Sequence, residues 1–424
     1  MPVAPVRAER TIRMSLRWRL GRMALSVAAF GAGLLLVVPK GLSVFAVALG
    51  AATLLALPDA IGRTREMLPA TIRWLLGVAC VVLVATGASA MRSGAGWEAL
   101  DNPSRVVLLP WCAWLAWIYR LPASRLGGGA LAGLVVAGAM STVQASQGIG
   151  RAGGGINAIV FANAVLTLLV LAVFCRPAMT KLATRWLLAA AVAVAAVTIV
   201  LSGSRGVLPG LGLVLVVLLA GDRAGRWRRV AGASVLLLSA SLLVWNVSWL
   251  ASKLRLDDVQ GEVARYAAGE VDTPVGARLA LWGVAWRAFR ESPVSGVGID
   301  GVEARIDASA HCRAGPRHFC ELNHAHNDLA QWAAAMGIAG IGALLALYVV
   351  PLVLAVRRVR TRAMPAGDDA ARACAVLIVV YVISGLTQSM FAHALSASAY
   401  AIFVGLLLGT PSMPTAPGAR AAPH

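Results

Sequence analysis

Residues 156–175 read INAIVFANAVLTLLVLAVFC, twenty positions without a charged side chain. At about 1.5 Å per residue such a stretch makes a helix about 30 Å long, the thickness of a bilayer's hydrocarbon core. Similar apolar runs lie at 23–38, 42–58, 74–91, 106–119, 127–147, 186–202, 206–221, 230–250, 328–355, 373–391 and 395–410. The whole chain of 424 residues is 59% hydrophobic and only 13% charged. A soluble domain is about 25% charged and about 45–50% apolar, so a water-soluble globule is excluded. The fold class read from these runs is an all-α polytopic membrane protein with about twelve transmembrane helices. Several runs are short for a full crossing, which tilt or a break within the membrane accommodates.

The formal charge of +19 comes from 38 Lys and Arg against 19 Asp and Glu. The cations stand in short clusters between apolar runs rather than massed on one water-facing domain, which argues against nucleic acid as a partner. They also give the orientation. With the N-terminus inside, 24 cations fall in the inner segments and five in the short outer loops, namely Lys40, Arg92, Arg105, Arg151 and Arg205. That asymmetry is the positive-inside pattern, with both termini in the cytoplasm. The organisation expected is a basic N-arm over 1–22, read as a retained arm rather than a cleaved signal, then transmembrane helices 1–9 over 23–250. A large outer loop with amphipathic helices follows over 251–327, between helices 9 and 10. Transmembrane helices 10–12 occupy 328–410, and a Pro/Ala-rich tail over 411–424 is expected to be disordered.

The loop 251–327 holds ten of the 19 acidic residues and four of the six His. Leu279, Trp282, Trp286 and Phe289 recur in it at helical spacing. They form an aromatic face suited either to the membrane surface or to packing on the loop's own core. Cys312 and Cys320 lie eight apart in this exported loop and are expected to form a disulfide. Cys80, Cys112, Cys175 and Cys374, in or beside apolar runs, read as small buried hydrophobes. The spacing of His311, Cys312, His318, Cys320, His324 and His326 matches no paired-ligand pattern, so no metal site is expected.

Three groups bear chemistry. Arg205 in LSGSRGVLPG puts a permanent charge where two apolar runs meet. It is either an Arg snorkelling to the interface or, with Ser204 and the flanking glycines, part of a close-fitting anion site. Arg278 opens the amphipathic stretch and reads as a solvated helix-end charge or a second anion ligand. His326, in NHAHNDLAQWAAAMGIAG, can take a proton from a hydroxyl near neutral pH. Asn327 and Asp328 stand close enough in sequence to orient it, or else to cap the helix that follows.

His326-Asn327, nine residues, Gly337, two residues and Gly340 resemble the signature of the O-antigen ligases. SGSRG around Arg205 and the run from Arg278 to Gly298 are similar to the shared core of the O-antigen ligase and polymerase superfamily. RAGGGINAIVFAN, Arg151 to Asn163, is a weaker echo of a family loop motif. The resemblance covers about 150–345. It implies a GT-C-like membrane fold with one large periplasmic loop, in a multi-pass protein of the bacterial inner membrane. It also implies transfer of O-antigen polysaccharide from undecaprenyl diphosphate to lipid A–core, with inversion and without a metal or other cofactor. In that scheme His326 is the catalytic base, Arg205, Arg278 and Arg151 bind the diphosphate, and Asn327, Asp328 and Ser204 support them. The partners implied are the lipid-linked donor, lipid A–core and membrane lipids. A protein O-oligosaccharyltransferase or an O-antigen polymerase would use the same donor. A secondary transporter is the rival from another class; Pro110 and Pro209 favour it as helix breaks, whereas spans almost free of charge count against it.

Overall fold

The computed structural model describes residues 16–66, 68–177, 179–219, 259–313, 318–361 and 368–411. The chain is an all-α, multi-pass membrane protein, and no strand occurs among the described residues. Its principal helices are α1 (Leu16–Leu35), α2 (Gly41–Glu66), α3 (Ala70–Ser93), α4 (Leu108–Tyr119), α5 (Ala123–Ser146), α6 (Ala158–Phe174), α7 (Lys181–Ser202) and α8 (Leu208–Leu219). They continue with α9 (Val259–Ala267), α10 (Pro274–Glu291), α11 (Gly301–Asp307), α12 (Asp328–Thr361), α13 (Asp369–Gly385) and α14 (Ala394–Gly409). Eleven of the twelve apolar runs coincide with these helices. The run 230–250, the RWRR cluster before it, the N-arm to residue 15, positions 251–258 and the tail from 412 lie outside the described residues. Five helices, α2, α3, α5, α7 and α12, are long and apolar enough to cross a membrane, while α6, the stretch 205–219 and α14 are shorter apolar helices.

The opening stretch becomes the centre of the bundle. Helix α6 is buried on every side from Val160 to Val173, as a helix with no polar face must be. Its N-cap is Asn157, whose Oδ1 accepts from the Ile159 amide at 2.9 Å. Inside it, the polar groups of Asn163 and Thr167 turn back onto the helix's own carbonyls. Around it pack α5, α7 and α13. Further out, α1 lies on α2 and α5, α14 on α4, and α12 on α3 and α13. The outer surfaces carry Val47, Leu54, Val84 and Val135, all more than two-thirds exposed; an apolar surface of that extent is a lipid-facing one.

Four expectations need correction. The first helix begins at Leu16 and so takes in Arg17, Arg19 and Arg22 of the basic arm. Cys80 is exposed on α3 rather than buried, unlike Cys112, Cys175 and Cys374, because one side of a peripheral span faces lipid. Pro110 and Pro209 sit in the first turns of α4 and α8, where a missing N–H breaks nothing. Last, of the two readings left open for the aromatic stripe of α10, packing on the loop's own core is the one that falls. The buried side is Ala277, Ala280, Leu281, Val284, Ala285 and Ala288, while Trp286 is 60% exposed and stacks on Phe289 at 5.8 Å.

Among the described residues, α12 is broken at Gly337, with φ 62° and ψ −145°. This conformation is essentially confined to glycine. It opens the helix so that residues 292–298 can dock across it. The Val297 and Gly298 amides donate to the Ala334 and Ala335 carbonyls, and the Ile338 amide donates to the Pro293 carbonyl. Arg92, at the end of α3, clamps the same turn by donating to the Ser295 and Gly296 carbonyls at 2.5 and 2.8 Å. The run ending at Gly298 and the glycines after His326 are thus two halves of one joint.

Candidate active site

Four elements converge at one end of α6. The chain between α5 and α6 brings Arg151, whose Nε donates to the Ser202 carbonyl at 3.1 Å. Helix α7 ends at Gly203 in the left-handed conformation, which turns the chain at once into Ser204 and Arg205. Ser204 Oγ donates to the Ala158 carbonyl at 3.2 Å, fixing this turn on the start of α6. Gly206 packs against Thr387 so closely that a Cβ would stand 2.5 Å from its hydroxyl. These small residues therefore seat the turn on its neighbours, and Ser204 acts as a fastening.

Helix α10 supplies Arg278. Thr273 caps it, accepting from the Gly276 amide at 3.0 Å, and Pro274 stands in its first turn. Glu262 of α9, 1% exposed, accepts from the Val275 amide at 2.7 Å through Oε2 and lies 3.6 Å from Arg205 through Oε1. One carboxylate thereby ties α9, α10 and the Arg205 turn together. Burial first, then the neighbouring cations Arg205 and Arg151, pull Arg278 below its ordinary value, with Glu262 pulling back. Cations that crowd one another in this way favour an anion between them.

His326 completes the arrangement from the end of the loop. Its backbone has φ 49°, a left-handed setting rare outside glycine. Contacts on both sides hold it: the Ala325 amide donates to Gln331 Oε1 at 2.9 Å and the Asn327 amide to Ser389 Oγ at 3.2 Å. Nδ1 of His326 meets Oε1 of Gln388 at 2.7 Å. Since Oε1 is an acceptor, Nδ1 carries the proton and Nε2 keeps its lone pair. The Gln388 amide nitrogen in turn contacts Nε2 of His393. Burial lowers the pKa of His326, the Gln388 bond opposes that, and Arg278 adds to it. His324, whose ring centroid lies 4.2 Å from that of His326, is pushed down to about 3, and His393 to about 4, mainly by burial. The site therefore holds neutral imidazoles at neutral pH.

Neither neighbour in sequence touches the His326 ring. Asn327 caps α12 by accepting from the Ala330 amide at 2.9 Å and donates to the Leu386 carbonyl. Asp328, 2% exposed, receives the Tyr348 hydroxyl at 2.9 Å and the Phe391 amide at 3.4 Å. Both dock the start of α12 onto the 386–391 segment that carries Gln388. Sequence reasoning missed Gln388, His393 and Glu262 as parts of the site. The polar interruption Thr387-Gln388-Ser389 at the end of an apolar run is the signal that marks the first two.

Arg151, Arg205, Arg278 and His326 line one cavity of about 580 Å³, with Asn157, Asp272 and Thr387 also on its wall. Asp272 is engaged with the Phe319 amide. Cys312 and Cys320 stand apart from the cavity wall as a disulfide, joining the turn at Ala310–Arg313 to that at His318–Glu321. No group of His, Cys, Asp and Glu among the described residues is arranged to hold a metal ion.

The pocket thus gathers three guanidinium groups, two from turns between helices and one from the loop helix α10. Residues 189–345 match the O-antigen ligase family (Wzy_C). The matched segment carries Arg205, Arg278, His326, Gly337 and Gly340, whereas Arg151, Gln388 and His393 lie beyond it on either side. No curated protein matches the chain.

Proposed function

We propose that the protein is an O-antigen ligase, an inverting glycosyltransferase that moves O-antigen polysaccharide from undecaprenyl diphosphate to a sugar hydroxyl of lipid A–core. It works at the periplasmic face of the bacterial inner membrane, with about twelve spans and both termini in the cytoplasm. The observation that supports this reading is the shared cavity: three guanidinium groups and one neutral imidazole face a single space large enough for a diphosphate and its first sugar.

The chemistry follows from those groups. The acceptor hydroxyl gives its proton to Nε2 of His326, the nitrogen left unprotonated by the Gln388 bond. The resulting oxygen attacks the anomeric carbon from the face opposite the diphosphate, so the new C–O bond forms as the old C–O–P link breaks and the configuration inverts. The bonding electrons leave on the phosphate. Arg205, Arg278 and Arg151 meet that charge with charge-assisted hydrogen bonds in the role a divalent cation takes in other glycosyltransferases. Undecaprenyl diphosphate departs into the membrane. Gln388 is a positioning residue, fixing the tautomer of His326.

Purified protein supplied with a glycan on undecaprenyl diphosphate and with lipid A–core tests this directly. Capped lipid A–core should form equally with and without EDTA, and H326A should form none at equal expression. Growth of a second lipid-linked glycan in place of capping, or an active H326A, would remove the ligase assignment.

A further inference from the structure

We infer that the chain carries a binding site for an anionic phospholipid at the end of the bundle opposite the catalytic cavity, between α1 and α5. Helix α5 runs 24 residues from Ala123 to Ser146, about 36 Å, so its Arg125 end and its Arg151 end lie at opposite membrane surfaces. At the Arg125 end a groove of about 600 Å³ opens between the two helices.

Its composition is graded along α1. Arg19 and Arg22 stand at one end, joined across the groove by Arg125, and Met23, Val27 and Phe30 follow toward the bundle's middle. Positions 19, 22, 23, 27 and 30 fall on one face of a helix and span about 16 Å. Met23 and Val27 are more than 60% exposed and Phe30 38%. No carboxylate lines the groove among the described residues. The guanidinium of Arg22 lies over the Trp18 ring, 5.3 Å from its centroid, which holds one cation at the head of the stripe.

The groove is preformed. Just beyond Phe30 the two helices meet backbone to backbone: a Cβ on Gly129 would stand 2.1 Å from the Phe30 carbonyl, and one on Gly133 2.4 Å from that of Gly33. Helices held together so closely, with small residues at the contact, cannot close the space between their ends. Three cations above an apolar track of about 10 Å from Met23 to Phe30 match a phosphodiester head group with the upper part of an acyl chain beneath it, and basic pockets between spans recognise such head groups. A free phosphate would use the cations and leave the track idle.

Native mass spectrometry of the delipidated full chain decides the matter. The ligands are dioleoyl phosphatidylglycerol, dioleoyl phosphatidylcholine, and inorganic phosphate as competitor. One phosphatidylglycerol should be retained at least about tenfold more strongly than phosphatidylcholine. R19Q/R22Q/R125Q should erase the preference, and millimolar phosphate should leave it intact. As a check that needs no triple variant, phosphatidylglycerol with brominated acyl chains should quench Trp18 fluorescence, seen as a quenched component present in the wild type and missing in W18F. Equal retention of the two lipids, an unchanged triple variant, displacement by phosphate, or W18F quenched like the wild type would each overturn the site.

Discussion

At the scale of the residue, the site depends on how His326 is kept neutral and aimed. In the proposed transfer, with His326 as the base, its lowered pKa places the acidic limb of the rate below the ordinary imidazole value of about 6.5. The base works only when unprotonated, so activity is held above that limb and lost as pH falls through it. Two substitutions should move the limb in opposite senses. R278Q removes a cation that disfavours imidazolium and raises it, whereas Q388L removes a bond that favours imidazolium and lowers it. Rate–pH profiles of the residual transfer activity check this, and a common direction of shift would disprove the Arg278–His326–Gln388 coupling. Loss of Arg205 or Arg278 should also remove a charged hydrogen bond of about 1.5–3 kcal/mol. Transfer should then fall at least about tenfold. His326 and the arginines could be read from the sequence because each is an isolated charge or imidazole beside an apolar run. Gln388 could not: 62 positions separate it from His326, and only the fold closes that distance. Of the two readings offered for Asn327 and Asp328, helix capping holds for Asn327 and orienting the imidazole holds for neither; the bonds of Asp328 to Tyr348 and Phe391 were not legible, since proximity in sequence says nothing of which way a side chain turns once a helix begins.

Elements matter here chiefly through the joint at Gly337. The break in α12 and the docked 292–298 turn fix the first segment of that helix, and through Asn327 and Asp328 the bond between His326 and Gln388. A Cβ at position 337 would lie 2.5 Å from the Pro293 carbonyl oxygen, on a backbone that side chains rarely adopt. G337A should therefore cost about 1–3 kcal/mol for the backbone and about 1–3 kcal/mol for overpacking. Thermal unfolding in detergent should show a lower Tm, together with weakened transfer. An unchanged Tm would mean that the turn is not held as described. The positions of eleven helices were legible because each carries an apolar run; their lengths, from 12 residues in α4 and α8 to 34 in α12, were not, because helices extend past the apolar stretch or stop short of it where the chain turns. The face that α10 buries was not. Aromatic periodicity marks amphipathicity, but the packed side is chosen by closeness of approach, and Ala277, Ala280 and Ala288 permit what Trp282 and Trp286 do not.

For the whole molecule, the proposed function requires the two ends of the bundle to face different compartments. The cavity with its three arginines lies where α5 and α7 end, and the groove with Arg19, Arg22 and Arg125 lies where α1 and α5 begin. A donor made ready in the cytoplasm and delivered across the membrane as a lipid diphosphate would meet only the first of these from outside. Cysteine accessibility separates the alternatives. In a background with Cys80 changed to Ser, S146C at the end of α5 should react with a membrane-impermeant maleimide in cells whose outer membrane alone is permeabilised. K181C, at the start of α7, should react only after the inner membrane is opened. Neither position is buried in the protein, and labelling of each after detergent solubilisation shows that its thiol reacts, so the difference in intact membranes reports the compartment. The reverse pattern would put the arginine cavity on the cytoplasmic side, where nucleotide-activated sugars are at hand. Expulsion of a lipid diphosphate would then lose its chemical rationale.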